Sequence, residues 1–280
     1  MKPPKKRIVR KVIGLKIKLN KRKICIAITV AFVILMLAYQ LFIADLIFGN
    51  SDDEELITSV EMIVTRALGG GVFITIIIYL GYKILNPARK PFWRSLLFCL
   101  PAFCVVINNL PIYPLASGIA QVTSPIWRVA VLATECLMVG FFEETCFRGV
   151  FLIGFLEKRR DTALGRFLAI VFSSAVFGAV HLVNILLGSS PIAVIMQIGY
   201  SFLIGAMCSV VLMKTANLWL CVILHATFNF CGALVPSCGE GTVWDPFTIT
   251  ITVIIAVATT VYMTLSFLKI KTDEVDRIYK

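Results

Sequence analysis

Apolar runs about as long as a lipid bilayer is thick follow one another along almost the whole chain, and this repetition confines it to a bundle of membrane-crossing helices. They lie at Ile24 to about Phe48 and at 60–80, 95–113, 127–155, 165–187, 192–213, 216–235 and 247–269. Roughly 20 apolar residues cover the hydrocarbon core, and a helix satisfies its own backbone there. Composition agrees. At 59% hydrophobic and 15% charged residues, with a mean hydropathy of +0.90, the chain has too little polar surface for a soluble fold. The expectation is an all-α polytopic membrane protein with eight transmembrane helices. The first run is too long for a signal-peptide core and lacks a small-residue cleavage pattern, so it reads as an uncleaved anchor. The 127–155 run exceeds one straight crossing and predicts a tilted or projecting helix. Pro111 and Pro114 should stop or kink the third span.

Charge placement sets the orientation. Met1 to Lys23 carries eleven Lys and Arg and no acid, so this end is expected to stay cytoplasmic. Eight crossings then put the acidic loop Ser51 to Glu55 outside. The basic groups at Lys83 to Arg94, Glu157 to Arg160 with Arg166, Lys214 and the tail from Lys269 fall inside, giving two cytoplasmic termini. The division expected is a basic arm at 1–23, a transmembrane domain at 24–270 and a cytoplasmic tail at 271–280. The net charge of +11 reports topology and contact with anionic lipid. No nucleic-acid partner is expected, because the basic segments lack interleaved aromatics and base-reading polar residues. The nine cysteines are scattered and mostly intramembrane, so they read as small apolar side chains. Only Cys231 and Cys238 are placed to approach each other near the outer face.

Polar residues inside the apolar spans are costly and therefore informative. The fourth span holds Glu143, Glu144 and Arg148. Glu144 and Arg148, four apart, share a face and can neutralise each other, which leaves Glu143 without that partner. The fifth span holds His181 beside a patch of small residues, Ser173, Ser174, Ala175, Gly178 and Ala179, that permits close helix contact. The seventh holds His225 and Asn229 on one face. The chain has two histidines, and both belong to this set. Two chemistries fit it. Glu143 and His181 could deprotonate a water that attacks a peptide carbonyl, with His225 and Asn229 receiving the oxyanion. Alternatively Glu143 (or Glu144), His181 and His225 could ligate zinc with water in the open position, although the usual His-Glu-x-x-His helix is missing. No nucleophile elbow or phosphate loop occurs. A transport or immunity protein that uses such a cavity without cutting is the rival class, but the inverted repeats common in transporters are absent.

Glu-Glu-x-x-x-Arg at 143–148, Phe-x-x-x-His at 177–181 and His-x-x-x-Asn at 225–229, in that order on separate spans, resemble the signature of the CAAX protease and bacteriocin-processing (CPBP) family, also called the abortive-infection family. The likeness covers about residues 127–235. It implies an intramembrane endopeptidase in which Glu143 and His181 activate water, His225 and Asn229 form the oxyanion site, and Glu144 and Arg148 orient Glu143 and support the fold. It further implies a glutamate-dependent reaction that requires no cofactor, with zinc on Glu143, His181 and His225 as the alternative. The expected substrate is a membrane-associated peptide or protein, presented in extended form because a helix hides its carbonyls. The expected location is a bacterial plasma membrane, where relatives mature bacteriocins, confer immunity or cut regulatory membrane peptides.

Overall fold

The computed structural model describes residues 21, 23–39, 53–86 and 92–279. Most of the basic arm, the end of the first apolar run, Ser51 and Asp52 of the acidic loop and residues 87–91 of the Lys83 to Arg94 segment lie outside them. The described helices are α1 (Lys23–Tyr39), α2 (Glu54–Leu80), α3 (Phe92–Asn108), α4 (Ile112–Ser117), α5 (Ile126–Cys146), α6 (Ile153–Leu156), α7 (Ala163–Val180), α8 (Val183–Leu186), α9 (Pro191–Thr215), α10 (Leu218–Cys238), α11 (Pro246–Leu268) and α12 (Thr272–Asp276). The protein is nearly all helical. Five of the described helical segments are long and apolar enough to cross a membrane: Glu55–Leu80, Ala163–Leu186, Pro191–Thr215, Leu218–Cys238 and Pro246–Leu268. Two shorter apolar helices accompany them, at Lys23–Tyr39 and Trp93–Asn108.

Local chemistry sets the boundaries. Asp53, Ser190 and Asp245 cap α2, α9 and α11 by accepting backbone N–H bonds, and Pro191 and Pro246 occupy first-turn positions where the missing N–H costs nothing. Gly81 ends α2 in the left-handed region, with φ 75°. As expected, α3 stops short of Pro111, which precedes the short helix α4. The long 127–155 run is one continuous helical stretch through α5 and α6, with a π-helical turn at Phe147–Leu152 between them. Such turns are uncommon and recur at functional sites. Ser173 of α7 donates to the Phe147 carbonyl at 3.0 Å, satisfying backbone polarity where the α ladder is interrupted.

One departure from an all-α fold places the site. Strands β1 (Ala120–Val122) and β2 (Gly239–Gly241) pair antiparallel, with Gln121 opposite Glu240. No alternation of apolar and polar residues announces them. The ribbon precedes α5 and follows α10, and the N–H groups of Thr123 and Ser124 both donate to the Cys238 carbonyl at 3.0 Å. It therefore ties together one end of the two helices that carry most of the polar groups. Farther along, α5 and α10 touch at Gly140, where a Cβ would meet Ala226 N at 3.0 Å and Val222 O at 3.1 Å. No side chain larger than hydrogen fits without separating these helices. On the other side of the bundle, Gly178 brings α7 against Ile198 O of α9, which is the close contact the small-residue patch predicts.

Candidate active site

Glu143 and Glu144 occupy the last turn of α5, His225 the middle of α10, and Arg148 the π-helical turn. Glu144 and Arg148 are completely buried. One carboxylate oxygen, Glu144 Oε1, lies 3.1 Å from Arg148 Nη1 and 2.8 Å from His225 Nδ1. The other ring nitrogen, His225 Nε2, lies 3.3 Å from Glu143 Oε2. The pairing of Glu144 with Arg148 is the one their spacing predicts. Glu143, read from sequence as lacking a partner, faces His225 instead. The imidazole is thus held between two adjacent carboxylates, and its plane is fixed from both sides.

Phe177 organises the rest. Its ring meets His181 edge-on at 5.4 Å and His225 at 5.6 Å, while the Arg148 guanidinium lies over its face at 4.5 Å. The sequence marks Phe177 only as the first position of Phe-x-x-x-His; here it is the platform on which both histidines and the arginine rest. The guanidinium makes no aligned side-chain hydrogen bond, so the ion pair and the aromatic face compensate its burial. Gly205 of α9 makes room for it, since a Cβ there would stand 2.5 Å from Arg148 Nη2.

His181 closes α7, and its Nε2 is buried without a hydrogen-bonding partner among the described residues. It and Asn229, one turn beyond His225, line the same cavity as Glu143 and His225. The cavity measures about 1560 Å³ and is walled mainly by apolar side chains, ample for an extended peptide. Asn184 and Gln197 line it as well and bond each other at 2.8 Å, joining α8 to α9. Glu135 also faces the cavity. Asn108, which also lines it, bonds Thr252 at 2.8 Å.

Residues 125–231 match the family model described as type II CAAX prenyl endopeptidase, Rce1-like. That family agrees with the CPBP resemblance carried by the three motifs, and the matched segment contains Glu143, Glu144, Arg148, His181, His225 and Asn229. No curated protein and no solved structure matches the chain. The apolar helices and this likeness point to an integral membrane protein whose segment 125–231 is similar to CAAX-type prenyl endopeptidases.

A metal would need donor atoms gathered around one point. Among the described residues the set so gathered is Glu144, Cys208 and Cys221, with donor atoms within 4.8 Å of one another. It lies against the Arg148 guanidinium, whose charge opposes a cation there. Glu143, His181 and His225 are not gathered to that extent, and both nitrogens of His225 already face carboxylates. The residues present do not fit a zinc centre at the histidines. All nine cysteines are free thiols, Cys231 and Cys238 included.

Proposed function

We propose that this protein is an intramembrane endopeptidase that hydrolyses a peptide bond in a membrane-associated peptide or protein, using water activated by Glu143 and His181. The observation that carries this reading is His225, clamped between Glu143 and the buried Glu144–Arg148 pair while it lines a peptide-sized cavity with His181 and Asn229. Burying four charged or polar groups is expensive unless they act together. Glu144 and Arg148 act as positioning residues. They hold His225 through Nδ1 and leave Nε2 directed toward Glu143.

The reaction balances as follows. A water between Glu143 and His181 gives its proton to the Glu143 carboxylate, and the hydroxide attacks the substrate carbonyl carbon. Negative charge develops on the carbonyl oxygen, where His225 Nε2–H and the Asn229 amide donate to it. Pre-aimed donors of this kind typically supply about 2.7–4 kcal/mol each. The C–N bond then breaks as Glu143 passes its proton to the leaving amine. With Nδ1–H donating to Glu144, His225 can donate from Nε2 only when both nitrogens carry protons; Glu143, Glu144, Arg148 and His225 then sum to zero charge, which suits an apolar surround.

The topology that accompanies this reading has eight crossings. To the five long apolar helices and the two shorter ones it adds α5, whose Glu135, Glu143 and Glu144 lower its hydropathy without shortening it. Both termini then lie on the basic side, in contact with anionic lipid, in a bacterial plasma membrane. The Rce1-like family description names prenyl substrates, but no feature of the cavity selects a prenyl chain. The test is cleavage of a fluorogenic peptide library by the full chain in lipid nanodiscs. Glu143→Gln should remove turnover, by about 10²–10⁴-fold as for a general base, while folding is retained. Unchanged turnover in that variant would refute the assignment, and loss of wild-type turnover to a zinc chelator would revive the metal reading.

A further inference from the structure

Beside His181 lies a polar pair that the reaction itself does not use. Asn184 Nδ2 donates to Gln197 Oε1 at 2.8 Å, and both residues line the cavity. One hydrogen bond does not exhaust two carboxamides. Asn184 Oδ1 and Gln197 Nε2 have no partner among the described residues, and neither atom is sealed inside the packing. Exchanging oxygen and nitrogen on both amides leaves the same inventory, a free carbonyl on one and a free NH2 on the other. The pair therefore offers one acceptor and one donor from a single bonded unit.

Its place is fixed by the backbone. Asn184 N–H donates to the His181 carbonyl at 3.0 Å, and the Asn184 carbonyl accepts from Ser189 N–H at 2.9 Å. Asn184 thus sits one turn beyond His181 on a chain held from both sides. Gly178 of α7 lets Ile198 of α9 approach until a Cβ would stand 3.1 Å from the Ile198 carbonyl oxygen, which sets the spacing at which Gln197 meets Asn184. Three positions along α9, the Tyr200 ring rests on Phe228 at 5.6 Å, and Phe228 adjoins Asn229. By two routes, then, the pair adjoins the reaction centre: through His181 on one side, and through Tyr200 and Phe228 to Asn229 on the other. Polar ties between membrane helices are common. This one leaves its spare atoms to the cavity that the substrate fills.

We infer that Asn184 and Gln197 form a docking rung for the substrate backbone, in which Asn184 Oδ1 accepts the N–H and Gln197 Nε2 donates to the C=O of one residue of an extended peptide. This rests on the protease reading and adds which groups hold the chain. In an extended strand the N–H and C=O of one residue are satisfied together by a neighbouring strand. The amide pair takes that neighbour's part, as a sheet edge does for an added strand. A helical segment has these groups already bonded, so the rung selects extended chain and reads no side chain. From His181 to Asn184 the helix rises about 4.5 Å, while an extended chain advances about 3.3 Å per residue, which puts the docked residue about one to three positions from the scissile bond.

The experiment is an ester scan of a peptide from the nanodisc screen: each amide except the scissile one is replaced in turn by an ester, which removes one N–H. With the wild-type full chain, one ester within three positions of the cut should raise KM about threefold to tenfold, the loss of one net hydrogen bond. kcat should change little, and side-chain substitutions at that residue should be tolerated. In the double variant Asn184→Leu with Gln197→Met, which keeps the side-chain bulk, the ester penalty should vanish because no amide is left to bond. A flat scan in the wild type overturns the inference, since a purely structural tie predicts it; so does a penalty undiminished in the folded double variant. A second arm needs no turnover. Glu143→Gln in the same nanodiscs gives binding constants for the amide and ester peptides by fluorescence anisotropy. Ester-sensitive binding without turnover in the wild type keeps the rung and sinks the protease reading; turnover with a flat scan sinks the rung alone; and no binding of any peptide sinks both.

Discussion

The Glu144–Arg148 pair is the part of the site whose energetics can be worked out most directly, because both side chains are fully buried and 3.1 Å apart. Arg148→Met removes the cation and leaves Glu144 with His225 as its remaining close partner. Glu144→Gln leaves a guanidinium that has only the Phe177 face. Breaking a buried pair from one side typically costs about 3–5 kcal/mol, whereas replacing both partners is often close to neutral. The double variant Glu144→Gln with Arg148→Met should therefore cost far less than the sum of the singles, with a coupling of at least about 2 kcal/mol. Reversible unfolding in a membrane mimetic measures the three stabilities, and peptide turnover is read on the same samples. Turnover should fail to recover in the double variant even where stability does, since His225 has lost the carboxylate that holds Nδ1 at 2.8 Å. Additivity within about 0.5 kcal/mol would refute the coupling. Recovery of turnover together with stability would refute the positioning role.

Two further outcomes follow from local geometry. Gly140→Ala puts a methyl group 3.0 Å from Ala226 N; the obstruction is backbone, so α5 and α10 must separate, at about 1–3 kcal/mol, and turnover should fall with KM little changed, whereas an unchanged kcat would count against a fixed Glu143–His225 distance. Asp245 lies outside the spans and its carboxyl is held below the usual range, first by the Thr248 hydroxyl and then by backbone N–H bonds; a depressed folded-state value means its capping contribution is present above the unfolded value and lost as pH falls through the folded one. Hydrogen-exchange protection in the first turn of α11, taken relative to the intrinsic rate at each pH, should fall on acidification across that window, and Asp245→Asn should abolish that change in protection.

Much of the site was legible because intramembrane polarity is rare enough for each residue to carry information. Spacing alone brought Glu144 to Arg148 and His225 beside Asn229. Tertiary geometry decided the rest. Helical periodicity leaves Glu143 without a partner because it speaks only of neighbours on one helix, and His225 comes from a helix 82 positions later in sequence. The ribbon of β1 and β2 was illegible for a related reason: three residues per strand, two of the six being glycine, carry no usable period. Phe177 and Gly205 act through what they allow Arg148 to do, and an apolar residue or a glycine among many gives no local signal of that.

The helix that carries the two acids shows why the reaction centre and its shelter are inseparable. On hydropathy α5 is the weakest of the long helices, since Glu135 falls near its middle and Glu143 and Glu144 in its last turn. It packs against α2 on one side and α10 on the other. Its acids therefore never face hydrocarbon: Glu144 is taken up by Arg148 and His225, while Glu135 and Glu143 face the cavity. The same packing that makes the acids tolerable removes bulk water from one side of them and leaves a shaft on the other. A carboxylate so placed meets a substrate only inside the cavity it lines, so the walls of that cavity decide which segments reach it.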